Sequence, residues 1–172
     1  RMPKAKSASF CVECLHNMPY TDHFMIKDNV VTNHFKGRIA LEHGAAILKF
    51  REGSIVQNML HQLKYKGRRE VGEVMGKIGG DKLLDSPLFV TPDVIIPVPI
   101  HPRKVIKRGY NQSSVFGQSI GQALKVNFRD DIIIKTKESD SQTGKSRTDR
   151  VANVADVFEV KDQKMLAGKH VL

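Results

Sequence analysis

Residues 101–112, His-Pro-Arg-Lys-Val-Ile-Lys-Arg-Gly-Tyr-Asn-Gln, concentrate the groups that bind phosphate. Four cations, Arg103, Lys104, Lys107 and Arg108, lie within six positions. An arginine fork matches phosphate oxygens two at a time. Gly109 lets the backbone approach a ligand closely or take a positive φ. Asn111 and Gln112 stand where a helix would begin, to cap it or to bond a hydroxyl. The segment is not a Walker loop, because the Gly-Lys-Ser ending is absent. Two further stretches repeat the theme: residues 64–69 carry four Lys and Arg, and residues 145–150 carry three. Any one cluster reads as solvated loop charge, but three together favour an anion site. The net charge of +10 and isoelectric point of 9.7 point the same way. The anion is a nucleic acid or a phosphorylated small molecule, with an inert basic surface as the bland alternative.

Cys11 and Cys14 offer two thiols at zinc-knuckle spacing, whereas structural zinc takes four ligands. His16 and His23 are local candidates to join them, and two free thiols are the simplest alternative. A redox pair is less fitting, since no strand-to-helix context surrounds the motif. His34, His43 and His61 have no acidic or nucleophilic neighbours at useful spacing and read as surface or packing residues. Asp149 beside Arg150 reads as a surface ion pair.

The elements that must position these groups form an α/β pattern. A helix over 54–65 is predicted, with Ser54 and Gln57 as a capping box and Ile55, Val56, Met59, Leu60 and Leu63 on its buried face. Gly67 stops it. A second helix spans 70–84, where Gly72, Gly76 and Gly80 predict close packing of the helix on a sheet. Residues 93–100, β-branched without alternation, read as a strand buried on both faces, with the prolines at its end. The phosphate segment follows as a loop, then a helix over 113–125. Ile132, Ile133 and Ile134 form another buried strand, residues 136–153 a long polar loop, and residues 157–160 and 170–172 further strands. Short strands are expected at 30–31, 39–41 and 46–50. Strands interleaved with helices predict a parallel sheet.

Two cysteines in 172 residues exclude a disulfide scaffold, and no stretch approaches a membrane span, so a soluble, cytoplasmic protein is expected. The chain opens Arg1-Met2 and stops as an apolar run begins at Val171-Leu172, so an interior portion of a longer chain is expected. Residues 1–36 divide off as a small cysteine module and 37–172 as the α/β domain.

Pro97-Val-Pro-Ile-His101, Arg103 and Lys107-Arg-Gly-Tyr-Asn-Gln112 together resemble the signature of the ComF family of competence-related, phosphoribosyltransferase-like proteins. Residues 63–67, Leu-Lys-Tyr-Lys-Gly, resemble the family's segment after the first helix. Gln142-Thr143, Arg147, Arg150, Asn153-Val154 and Phe158 resemble its second signature. Phe10, Cys11, Cys14 and Pro19 resemble the latter half of its cysteine module. The resemblance implies a phosphoribosyltransferase-like core with a zinc-ribbon-like module at its N-terminus, incomplete at both ends. It implies that His101, Arg103, Lys104, Arg108, Gly109, Asn111 and Gln112 bind the diphosphate of phosphoribosyl pyrophosphate with Mg²⁺. Gln142, Arg147 and Arg150 would reach the anion from a mobile flap, and Cys11 and Cys14 would hold Zn²⁺ with a further pair upstream. The family's Asp-Asp and Thr-Thr-Gly ribose-phosphate motif would follow Leu172, and Asp130-Asp131 is no substitute. Whether the chain is an enzyme, a phosphoribosyltransferase, is left open by these residues. The implied role is DNA uptake, with competence proteins as partners. The alternative is a non-enzymatic factor that binds single-stranded DNA through its basic loops, with Tyr65 and Tyr110 as stacking candidates.

Overall fold

The computed structural model describes residues 10–137 and 157–172. Six α-helices run in chain order among the described residues: α1 (Val12–His16), α2 (Val30–Phe35), α3 (Ile55–Tyr65), α4 (Arg69–Leu84), α5 (Pro102–Arg108) and α6 (Gln112–Leu124). Four short strands accompany them: β1 (Val94–Ile95), β2 (Asn127–Phe128), β3 (Ile133–Lys135) and β4 (Phe158–Val160). The fold among the described residues is therefore helices with two small sheets, not one large parallel sheet.

The parallel component is nevertheless present. β1 pairs parallel to β2, Val94 with Asn127 and Ile95 with Phe128. Residues 170–172 run parallel along the other edge of β1: Leu172 N donates to Val94 O at 3.0 Å and Ile96 N donates to Leu172 O at 2.8 Å. The ladder ends there because Pro97 and Pro99 have no N–H to donate. The expected strand over 93–100 thus contributes two ladder residues and an extended lead into the anion segment. The isoleucines at 132–134 do not join this sheet. Ile133 and Ile134 pair antiparallel with β4, opposite Val160 and Glu159, and are only half-buried.

Three more expectations are corrected. Residues 30–31 lie in α2, because Asn29 caps it, its Oδ1 accepting from Val31 N at 2.9 Å and Thr32 N at 3.0 Å. Residues 39–41 form no strand. Residues 46–50 supply one bridge, Tyr20 to Leu48, rather than a strand.

α3 begins as read: Gln57 N donates to Ser54 Oγ at 3.4 Å. The reciprocal bond shifts by one residue, with Gln57 Oε1 accepting from Gly53 N at 2.7 Å. Val56, Met59 and Leu63 are buried, whereas Ile55, in the first turn, is exposed. They pack with Val71 and Met75 of α4, and Phe10 and Met18 of the N-terminal segment share that core.

The glycines of α4 pack against α6, a helix rather than a sheet. A Cβ on Gly76 would overlap the Phe116 carbonyl and stand 2.6 Å from Ser119 Cβ. One on Gly80 would stand 2.5 Å from Ala123 Cβ. Small residues let the two helix backbones meet directly, and α6 in turn covers β1 and β2. No helix among the described residues is long and apolar enough to cross a membrane.

Candidate anion-binding site

The segment 101–112 leaves the C-terminal end of β1, where ligands bind in open α/β sheets. Most of it is not a loop. Pro102 occupies the first turn of α5, where its missing N–H costs nothing. His101 caps that helix, its Nδ1 accepting from Arg103 N at 3.3 Å. Gly109 ends it at φ 83°, the left-handed conformation that favours glycine. Asn111 opens α6: its Oδ1 accepts from Ser113 N at 3.0 Å and its Nδ2 donates to Val98 O at 3.0 Å. That carboxamide ties the N-terminus of α6 to the chain leaving β1. The turn between α5 and α6 therefore sits over a helix N-terminus, whose free N–H groups favour an anion.

Arg108 closes the turn. Its Nη1 donates to Gln112 Oε1 at 2.8 Å, and its guanidinium lies 5.6 Å from the centre of the Tyr65 ring. Gln112 Nε2 is buried with no partner among the described residues. Arg103 is exposed and Lys104 half-buried on α5.

The structure brings a second basic cluster to the same place. Residues 63–69, the end of α3 and its link into α4, form the opposite wall. Arg69 Nη2 donates to Gly109 O at 2.8 Å, and its guanidinium lies 4.6 Å above the Tyr110 ring. The Tyr110 hydroxyl donates to Leu63 O. Tyr110 is 7% exposed and Tyr65 62% exposed. Burial raises the Tyr110 hydroxyl pKa, against the pull of Arg69 and Arg108. Tyr110 is thus a buried strut rather than a platform for bases, and of the two tyrosines only Tyr65 presents a ring to solvent.

Lys135, at the end of β3, is a further cation that sequence reasoning missed. Burial, and then the nearby charge of Lys104, lower its pKa. Its ammonium lies 5.6 Å from the Phe158 ring centre. No motif marks Lys135, since only the β3–β4 pairing sets its position. Arg69 was legible as part of a cluster but not as a contact of Gly109, 40 positions away. Gln142, Arg147 and Arg150 lie outside the described residues.

Of the acidic groups, Glu70 lies beside the site, paired with Arg68. Arg129 grips Asp131 with two bonds of 2.7 Å, and this partner holds the carboxyl pKa down to about 2. Asp131 is committed to that fork. Among the described residues no three His, Cys, Asp or Glu side chains converge as a metal site. The described residues therefore do not furnish a magnesium cage. Cys11 caps α1, and its Sγ accepts from Cys14 N at 3.2 Å, so both thiols lie at one helix start. They would make two of the four ligands a structural zinc takes, and the described residues supply no third. His23 is used in packing: its Nδ1 accepts from Ala46 N at 3.2 Å, and its carbonyl bonds His43 Nε2 at 2.8 Å.

No family model and no solved structure matches the chain. Curated proteins do. Competence protein F of Haemophilus influenzae is 32% identical over 69 residues, 40% of this chain and 30% of that protein. DNA utilization protein YhgH of Shigella flexneri is 25% identical over 117 residues, 66% of this chain and 51% of that protein. The same-named protein of Escherichia coli K12 is 24% identical over the same length. The chain spans about half the length, or less, of these relatives. The similarity to competence protein F bears out the resemblance to the ComF family read from the motifs.

Proposed function

We propose that this chain is a ComF-like component of DNA utilization whose turn between α5 and α6 grips the diphosphate of phosphoribosyl pyrophosphate, or pyrophosphate itself. The names of its relatives support the DNA-related role. One observation carries the diphosphate reading. Arg108 is braced between Gln112 and Tyr65 at the N-terminus of α6, with Arg69 behind the same turn. A guanidinium so braced loses little rotamer freedom when it binds, so more of the charge-assisted bond appears as affinity. If the chain acts as a phosphoribosyltransferase, its own residues bind and orient the leaving diphosphate and stabilise the charge that develops there. Magnesium would accompany the diphosphate, and zinc on Cys11 and Cys14 needs ligands beyond those described. The site of action proposed is the cytoplasm, with competence proteins as partners.

The test is thermal. Phosphoribosyl pyrophosphate or pyrophosphate at millimolar concentration raises the melting temperature, because a ligand bound only to the folded state stabilises it. Arg108→Ala abolishes the shift. An unchanged melting temperature in the wild-type chain removes the diphosphate reading.

A second reading has its own support. Tyr65 is exposed beside Arg108, Lys64 and Lys66, the pairing of ring and cation that holds single-stranded DNA without sequence preference. In that reading the chain is a non-enzymatic DNA-binding factor.

A further inference from the structure

We propose that Tyr110 and Arg69 are positioning residues for the anion-binding turn, holding it in binding shape without touching the ligand. The assignment rests on the reading of residues 101–112 as the diphosphate site.

The backbone at 109–111 must change direction sharply, from α5 through the left-handed Gly109 to the cap of α6. Locally the turn is stabilised by the Gly109 N bond to Val105 O, 2.6 Å, by the Asn111 cap and by the Arg108–Gln112 bond. What holds it from outside comes from the Val98 carbonyl, which accepts from Asn111 Nδ2, and from residues 63–69. The Tyr110 hydroxyl is bonded to the Leu63 carbonyl, one of the last carbonyls of α3, which lack helical partners. The Arg69 guanidinium covers the Tyr110 ring and bonds the Gly109 carbonyl. Ring, guanidinium and two carbonyls thus form one closed unit bridging two parts of the chain that are 47 positions apart at its widest. Tyr110 is buried, and Arg69 spends one arm on the Gly109 carbonyl and its face on the ring. Both groups are spent on the turn itself, although Arg69 is exposed, while Arg108, one residue before Gly109, bonds the Gln112 side chain at the start of α6. The clamp therefore sets where Arg108 stands relative to the α6 N-terminus.

The test uses pyrophosphate and the 172-residue chain, well below every variant's melting temperature. Tyr110→Phe removes one hydroxyl and no charge. It weakens pyrophosphate binding about tenfold, the scale of one lost hydrogen bond. Amide exchange over residues 108–112 rises by a similar factor. Arg69→Lys keeps the charge and loses the planar face, so its affinity stays near that of Arg69→Ala. Full restoration of affinity by Arg69→Lys would make Arg69 a direct anion contact and overturn the assignment. So would Tyr110→Phe with wild-type affinity and exchange. If the wild-type chain fails to bind pyrophosphate, the diphosphate reading falls. The clamp is then judged by exchange, and unchanged protection at 108–112 in Tyr110→Phe ends it too.

Discussion

Arg69 and Arg108 both face tyrosines, yet they do different work. Arg69 covers a ring that is buried and bonds a backbone carbonyl, whereas Arg108 lies over an exposed ring and bonds a side-chain amide. Arg69 is exposed and Arg108 half-buried, so what separates them is what each guanidinium holds: the first the backbone of the turn, the second a side chain at the start of α6. Arg129 shows a third use, a two-bond fork on Asp131. The carboxyl titrates near 2 in the folded chain against an ordinary 3.8. Its folded value is the lower one, so the stabilisation is complete above about pH 4 and fades as pH falls through 2. NMR titration of the Asp131 carboxyl should place its midpoint near 2. Arg129→Ala should return it towards the ordinary value, and a midpoint unmoved by that change would refute the pairing. An aspartate so committed is a poor magnesium ligand, in keeping with the reading of 130–131 as no stand-in for a ribose-phosphate motif.

At the scale of elements, the contact between α4 and α6 sets the platform beneath the site, because α6 carries the capped N-terminus that the turn overlies. That contact depends on glycines, but unequally. The Gly76 position faces the Phe116 carbonyl, which cannot move without unwinding α6. Gly72 faces a methyl of Val115 at 3.0 Å, the end of a side chain that can turn aside. Alanine gains about 1 kcal/mol over glycine in a helix. Overpacking against rigid backbone costs about 1–3 kcal/mol. Gly76→Ala should therefore lose up to about 2 kcal/mol net, and Gly72→Ala should lie within about 0.5 kcal/mol of wild type. Urea unfolding measures both. Equal stability of the two variants would mean that the helices do not meet as closely as described.

For the molecule as a whole, the charge of +10 acts as a field as well as a set of contacts. Two of the three basic clusters converge on one face around Tyr65, and Lys104 and Lys135 sit close enough to share their repulsion. Single-stranded DNA bound there should lose affinity linearly in log salt. Charge reversal at Lys104 and Lys107 should weaken it for all sequences alike and flatten that slope. Tyr65→Ala should cost about 1–3 kcal/mol with the slope unchanged, since stacking carries no charge. Binding that ignores salt, or that survives both changes, would rule out this face as the DNA site.

Much of this arrangement was readable in the one-dimensional chain. Local chemistry announces itself over a few residues: the Ser54 cap and Val56, Met59, Leu63 stripe of α3, the Gly67 stop, the positive φ of Gly109 and the Asn111 cap all stand where their residue types put them, whereas residues 102–108, read as a loop, form α5. What escaped depends on partners far away in sequence. A run of isoleucines at 132–134 suits a parallel or an antiparallel neighbour equally well, and pairing with residues 158–160 decided the matter. The spacing of Gly72, Gly76 and Gly80 signalled a close approach without saying to what, and α6 supplied the answer. Tyr65 and Tyr110 were equivalent as letters. Packing buried one against Arg69 and left the other in solvent, because burial is a property of the whole assembled surface and not of any window along the chain.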